Sequence, residues 1–143
     1  MPIGFQVTID CHDPERLGAF WAVALDYTPE PPPPPHSTWE EFADALQIPQ
    51  EQRNDMNAVL DPSGTLPRLL FQKVPEGKTA KNRVHLDVNA GAGMPYGESR
   101  AAAVDAHVAR CVEAGATKVA EHDDGRERHV VLTDPEGNEF CVQ

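Results

Sequence analysis

The sequence predicts an α+β fold of two βαβββ modules, and three observations carry that expectation. Gln6-Val7-Thr8-Ile9-Asp10-Cys11 lies over Arg83-Val84-His85-Leu86-Asp87-Val88, 77 positions later, with Val7 matching Val84 and Asp10 matching Asp87. Asp61-Pro62-Ser63-Gly64 lies over Asp134-Pro135-Glu136-Gly137, 73 positions later and in the same order. A stretch with one apolar helical face follows each of the two matching strands. The modules fall at residues 1–75 and 82–143, with a proline-rich insertion at 29–55 inside the first. A sheet covered by a helix on one face has another face to bury or to line a cavity. Two such modules facing each other around a cleft meet that need.

Each element has its own local cause. Residues 4–11 alternate and are β-branched at Val7, Thr8 and Ile9, the signal of a strand. Asp13-Pro14-Glu15 then supplies an N-cap, a proline at the first helical position and an acid in the first turn. Leu17, Phe20, Trp21 and Ala24 recur at helical spacing. The five prolines from Pro31 to Pro35 lack N–H donors, so polyproline II is expected there. With no repeated spaced motif, the run reads as a stiff surface connection sooner than as a ligand for a proline-binding groove. Ser37-Thr38-Trp39-Glu40 reads as a capping box, opening a short helix with Trp39, Phe42 and Leu46 on its apolar face. Residues 56–60 and 68–74 read as strands joined by the Asp61 turn.

In the second half, residues 84–88 form an alternating strand and 91–97 a loop. Residues 99–113 read as a helix with Val104, Val108, Cys111 and Val112 on one face, stopped by Gly115. Residues 117–121, 129–132 and 139–142 read as three strands, the last two joined by the Asp134 turn.

Composition excludes several functions. With 40% apolar and 24% charged residues over 143 positions, a packed core is affordable and wholesale disorder is not expected. The net charge of -11 and the lack of a basic stripe argue against nucleic acid and against an anionic membrane surface. No apolar stretch approaches the ~18 residues that cross a bilayer. Met1-Pro2-Ile3-Gly4 carries no basic leader, so a soluble cytoplasmic protein is expected. Cys11, Cys111 and Cys141 show no CxxC spacing, which fits free thiols in a reducing compartment. No nucleophile elbow, P-loop, HExxH or Rossmann glycine pattern is present.

QVTIDCHDPERLGAFWAVALDY, KNRVHLDV and VVLTDPEGNEFCV together resemble the glyoxalase/bleomycin-resistance proteins, the vicinal oxygen chelate superfamily, and within it the small glyoxalase-like domain proteins. The resemblance implies a curved mixed sheet around a cavity. It also implies activities that range over isomerases, epimerases, extradiol dioxygenases, thiol transferases acting on antibiotics and drug-sequestering binders, often as homodimers. Members with a catalytic metal hold a divalent cation through His, Gln and Glu. Carried onto this chain, the ligand positions fall on Gln6, on Arg83, on Cys141 and on the strand holding Gln72 or Leu70. A guanidinium has no lone pair to give. A thiol ligates only after losing its proton. Metal dependence is therefore disfavoured by Arg83 and Cys141, and no cofactor is expected with assurance.

Strand alternation offers a rival constellation. Residues two apart share a face, which groups Arg83 with His85 and Asp87, Glu139 with Cys141, and Gln6 with Asp10. His85 and Glu139 are the candidate catalytic acid/base groups. Gln6, Asp10, Gln72, Arg83, Asp87 and Cys141 are the candidate substrate contacts. Each also has a structural reading: His85 as a hydrogen-bonded histidine, Arg83 as the partner of Asp10, Asp87 or Glu139, and Cys141 as a small buried hydrophobe. The expected function is a small-molecule enzyme of isomerase or lyase type with a degenerate or absent metal site. The alternative is a binding protein that sequesters a drug-like or metabolite ligand. A third reading is an interaction protein that uses its proline run.

Overall fold

The computed structural model describes residues Met1–Gln143 and has an α+β architecture with two four-stranded mixed sheets. The chain separates into two compact units, Met1–Ala22 with Asp26–Gly77, and Val23–Leu25 with Lys78–Gln143.

The first unit opens with β1 (Val7–Cys11) and α1 (Pro14–Leu25). Asp13 caps the helix, its Oδ1 accepting from the Arg16 N–H at 3.2 Å. Asn54 donates to the same oxygen at 2.8 Å and holds the Asp13 carboxyl below its ordinary range. Leu17, Phe20 and Trp21 are buried as their spacing predicts, with Phe20 and Trp21 edge-to-face at 5.5 Å. Full burial of each such side chain is worth about 1.5–3 kcal/mol. Then come β2 (Thr28–Pro29), α2 (Trp39–Ala45), a single 3-10 turn (Gln50–Gln52), β3 (Met56–Leu60) and β4 (Leu69–Lys73). The sheet order is β1-β4-β3-β2, with β1 parallel to β4 and the other pairs antiparallel.

The insertion departs from expectation in two places. The proline run is not a uniform polyproline rod: it turns at Pro34 and Pro35, and the His36 N–H donates to the Pro33 carbonyl at 3.1 Å. In α2 the residue turned inward is Ala43, while Trp39 and Leu46 stay exposed. The aromatic groups pack on one another instead. Phe42 lies edge-to-face with both Trp39 and His36, and the Trp39 indole donates to the Glu30 carbonyl at 2.8 Å. Thr38 caps the helix, accepting from Glu41 N–H, and the Glu41 carboxylate returns to Ser37 N–H, one residue before the cap.

The second unit holds β5 (Asp87–Val88), α3 (Glu98–Glu113), β6 (Thr117–Asp123), β7 (Arg128–Thr133) and β8 (Glu139–Val142). Its sheet order, β5-β8-β7-β6, repeats that of the first, again with one parallel pair at the first strand. Val130, Leu132, Phe140, Val142 and Val88 alternate onto the buried face, and Val104, Val108 and Cys111 are the buried residues of α3. Both DPxG turns form, with Gly64 at φ 71° and Gly137 at φ 88°. A side chain at either position would sit in the left-handed region, which explains the glycine in both copies.

The strand expected over residues 84–88 shortens to two residues. Cys141 N–H reaches Leu86 O at 3.0 Å, but Arg83 and Val84 lie in a bend. The register pairs Asp87 with Cys141. Continued backwards, it would set Arg83 against Gly137, which already closes the Asp134 turn, so no ladder is available there. The alternation argument that put Arg83 on the face of His85 and Asp87 therefore loses its basis.

Candidate functional site

The parallel register of β5 and β8 sets the chemistry of the second unit. Val88 and Val142 turn to the buried face, so Asp87 and Cys141 project together from the other one. His85, two residues before Asp87, joins them. A ring nitrogen of His85, an Asp87 carboxylate oxygen and Cys141 Sγ form a group in which these atoms lie within 4.8 Å of one another. His85 Nδ1 sits 3.2 Å from Asp87 Oδ1, with the two side chains 42% and 46% exposed. An ionised carboxylate is an acceptor only, so this contact selects the tautomer protonated at Nδ1 and leaves a lone pair on Nε2.

Burial pushes the Cys141 thiol up, and the Asp87 charge and its hydrogen bond with the thiol push the same way; Lys81 opposes them. Cys141 is thus a protonated thiol at neutral pH, not an activated nucleophile.

Glu139 occupies a different setting. Its Oε2 accepts from Asn82 N–H at 3.0 Å, and Lys78 Nζ lies 3.1 Å from the same oxygen. The backbone N–H donated by Asn82, with help from Lys78, holds the carboxyl down at about 2. Lys78 and Asn82 carried no signal in the sequence, because their partner lies 57 or more residues away.

The remaining candidates are dispersed. Arg83 is exposed in its bend, while the Asp87 and Glu139 carboxylates face His85 and Lys78. In the first unit, Asp10 and Gln72 stand directly opposite each other on exposed positions of β1 and β4. Gln6 precedes β1 and accepts through Oε1 from Arg68, which also makes a bidentate pair with Glu30 at 3.0 and 2.7 Å. His122 and His129, which showed no ligand spacing, face each other across β6 and β7 with ring centroids 5.0 Å apart. His129 Nδ1 is buried with no hydrogen-bond partner.

Donor chemistry decides how a divalent cation of the kind the superfamily uses would fit. Arg83 cannot contribute. A nitrogen, an oxygen and a sulfur donor nonetheless converge at His85, Asp87 and Cys141, and three convergent donors are the minimum for such a site.

The fold is similar to that of several solved structures. It is similar to a glyoxalase/bleomycin resistance protein/dioxygenase family enzyme from Burkholderia phytofirmans PsJN, at 18% identity and TM-score 0.59, covering 96% of this chain and 94% of that one. It is similar to the fosfomycin resistance protein FosX from Mesorhizobium loti, at 13% identity and TM-score 0.64, covering 100% and 92%. FosX from Listeria monocytogenes, solved as a variant with Mn(II) and 1S,2S-dihydroxypropylphosphonic acid, gives 12% identity and TM-score 0.62 over 100% and 90%. No curated protein sequence matches the chain. No helix is long and apolar enough to cross a membrane. The family described as Glyoxalase-like domain matches residues 6–143, nearly the whole length, and the chain belongs to that family.

Proposed function

We propose that this protein is a glyoxalase-like small-molecule enzyme of isomerase or lyase type whose reacting centre is the His85–Asp87–Cys141 group. The observation that carries the reading is the convergence of these three side chains on the sheet face opposite the one that holds the buried residues of β5, β7 and β8. Asp87 fixes the His85 tautomer, so Nε2 takes a proton from a bound substrate and returns it at a neighbouring atom. Cys141, as a neutral thiol, donates a weak hydrogen bond beside it. Glu139 is ionised and engaged by Lys78 and Asn82, so its role is to hold the 78–82 segment against β8, and it is a poor source of a proton. A divalent cation held by His85, Asp87 and Cys141 would supply positive charge to a substrate oxygen. Arg83 offers an exposed guanidinium for an anionic substituent. A homodimer in the cytoplasm belongs to the same proposal, in line with three cysteines outside any disulfide.

One observation favours a second reading, a binder that sequesters its ligand: the thiol is kept protonated and Glu139 is tied down, which leaves His85 as the one group poised for proton transfer.

The test is a thermal-shift screen of aromatic, anionic and thiol-adduct small molecules, followed by turnover measurement on each hit. Turnover that disappears in His85→Gln while stabilisation by the ligand persists supports the enzyme. Stabilisation with no turnover in either protein supports the binder.

A further inference from the structure

We propose that His122 and His129 are the paired donors of a cation site on the β6–β7 hairpin, for a divalent ion of the copper, nickel and zinc group. The site shares no residue with the reacting centre proposed above and does not depend on that reading.

The strand register builds the pair. His122 and His129 are direct partners on antiparallel strands, so both side chains leave the same face of the sheet. Their ring centroids lie 5.0 Å apart, with the planes 31° from parallel. Two imidazoles that bind one ion at about 2.0–2.1 Å have centroids roughly 5 Å apart. The rings therefore already stand at the spacing of a chelate, and rotation about their own bonds aims the lone pairs at a common point.

The turn of the hairpin supplies a carboxylate to each ring. Asp124 Oδ2 lies 3.8 Å from His122 Nε2, and Glu127 Oε1 lies 3.7 Å from His129 Nδ1. A carboxylate beside one ring nitrogen draws the proton there and leaves the lone pair on the other. His122 thus presents Nδ1 and His129 presents Nε2. Asp124 is held in place through its other oxygen, which accepts from the Arg126 and Glu127 N–H groups, both at 2.9 Å. His129 Nδ1 is buried and lacks a hydrogen-bond partner, an uncommon state for a buried polar atom. An ion at Nε2 makes Nδ1–H a stronger donor, and a small movement onto Glu127 then satisfies it.

Charge and donor type select the ion. Glu121 and Arg128 pair on the opposite face, where Asp105 also holds Arg128. That leaves Asp123, Asp124 and Glu127 against Arg126 alone in the 121–129 stretch, which favours a cation over an anion. Imidazole nitrogens suit the later first-row ions, copper above nickel and zinc, whereas Mg(II) seeks oxygen. Two imidazoles hold an ion less tightly than three converging donors do, with water completing the shell. The site is therefore an exchangeable clip that joins β6 to β7 and stabilises the hairpin by mass action.

The test is calorimetric titration of the full chain with Zn(II), in a His85→Gln, Cys141→Ser background that disables the group on β5 and β8. One equivalent is expected to bind, and excess Mg(II) should leave it in place. Adding His122→Gln or His129→Gln should each weaken Zn(II) at least about tenfold, because either removes half of the chelate. The Cu(II) form should show two coordinated nitrogens by electron paramagnetic resonance. His122 is 54% exposed, so its replacement leaves the fold intact even if His129→Gln does not. No Zn(II) binding in the background protein, undiminished binding in His122→Gln, or a Cu(II) spectrum without a nitrogen pair would overturn the proposal.

Discussion

His85 and Asp87 stand two residues apart and meet at 3.2 Å through Nδ1 and Oδ1, on the approach to a strand only two residues long. Both side chains are nearly half exposed, so little folding energy depends on the pair. His85→Gln and Asp87→Asn are each expected to shift unfolding free energy by no more than about 0.5 kcal/mol, the range of surface substitutions. The same changes should remove turnover of any substrate found. Thermal unfolding and steady-state kinetics on the same preparations check this. A large stability loss without a kinetic effect would assign the pair to structure.

Gly18 in α1 has no room for a Cβ as its neighbours stand. A Cβ there would lie 2.2 Å from Asn57 Oδ1 and 3.4 Å from the ring of fully buried Phe71. Asn57 would have to turn away, and its ring neighbour cannot. Gly18→Ala is expected to cost about 1–3 kcal/mol. In an Asn57→Ala background the cost should shrink, giving a non-additive cycle by chemical denaturation. Additive costs would show that the contact is not the source.

Asp61 accepts from Ser63 Oγ and from the N–H groups of Ser63, Thr65 and Leu66, which hold its carboxyl at about 2. The side-chain bond from Ser63 is the largest cause. A folded pKa below the unfolded one means the group stabilises fully above the unfolded value and loses its contribution as pH falls toward the folded one. The melting temperature should therefore drop between about pH 5 and pH 2. Asp61→Asn should flatten part of that slope. Glu139 should account for another part, since it is depressed into the same window. An unchanged slope in Asp61→Asn would count against the turn as the source.

Arg128 ties α3 to the hairpin. It donates to Asp105 at 2.8 Å through Nε and to Glu121 at 3.0 Å through Nη2, with its own side chain only 17% exposed. Arg128→Met keeps the packed stem and loses both charge-assisted bonds. We expect a loss of about 1 kcal/mol at low salt and less at molar salt, read from unfolding curves at both. Equal losses at the two salt concentrations would mean packing, not charge, is responsible.

The two modules were legible in the sequence because their marks are local. The Asp13 cap, the Leu17-Phe20-Trp21 spacing and the paired DPxG turns each act within a few residues of themselves. The candidate site was legible only in part. His85, Asp87 and Cys141 could be named from alternation, and the group that forms follows from the parallel register of β5 and β8. For Arg83 the alternation argument presumes a strand, whereas residue 83 lies in a bend and the Asp134 turn leaves it without a partner strand. Lys78 and Asn82 reach Glu139 across a long stretch of chain, and no spacing rule anticipates such a contact. Trp39 and Leu46 have the spacing of a buried face, yet a seven-residue helix turned on Ala43 leaves them outside.

The outermost strand of the second sheet, β6, is exposed along its whole length, and its register slips between Lys118 and Ala120. That slip breaks the even row of amide groups that a foreign strand would need to align against. Lys118, Glu121 and Asp123 add charge along the same rim. The molecule therefore carries a built-in guard against edgewise stacking into fibrils, and a substitution that straightened the bulge would be expected to show itself first as insolubility on storage.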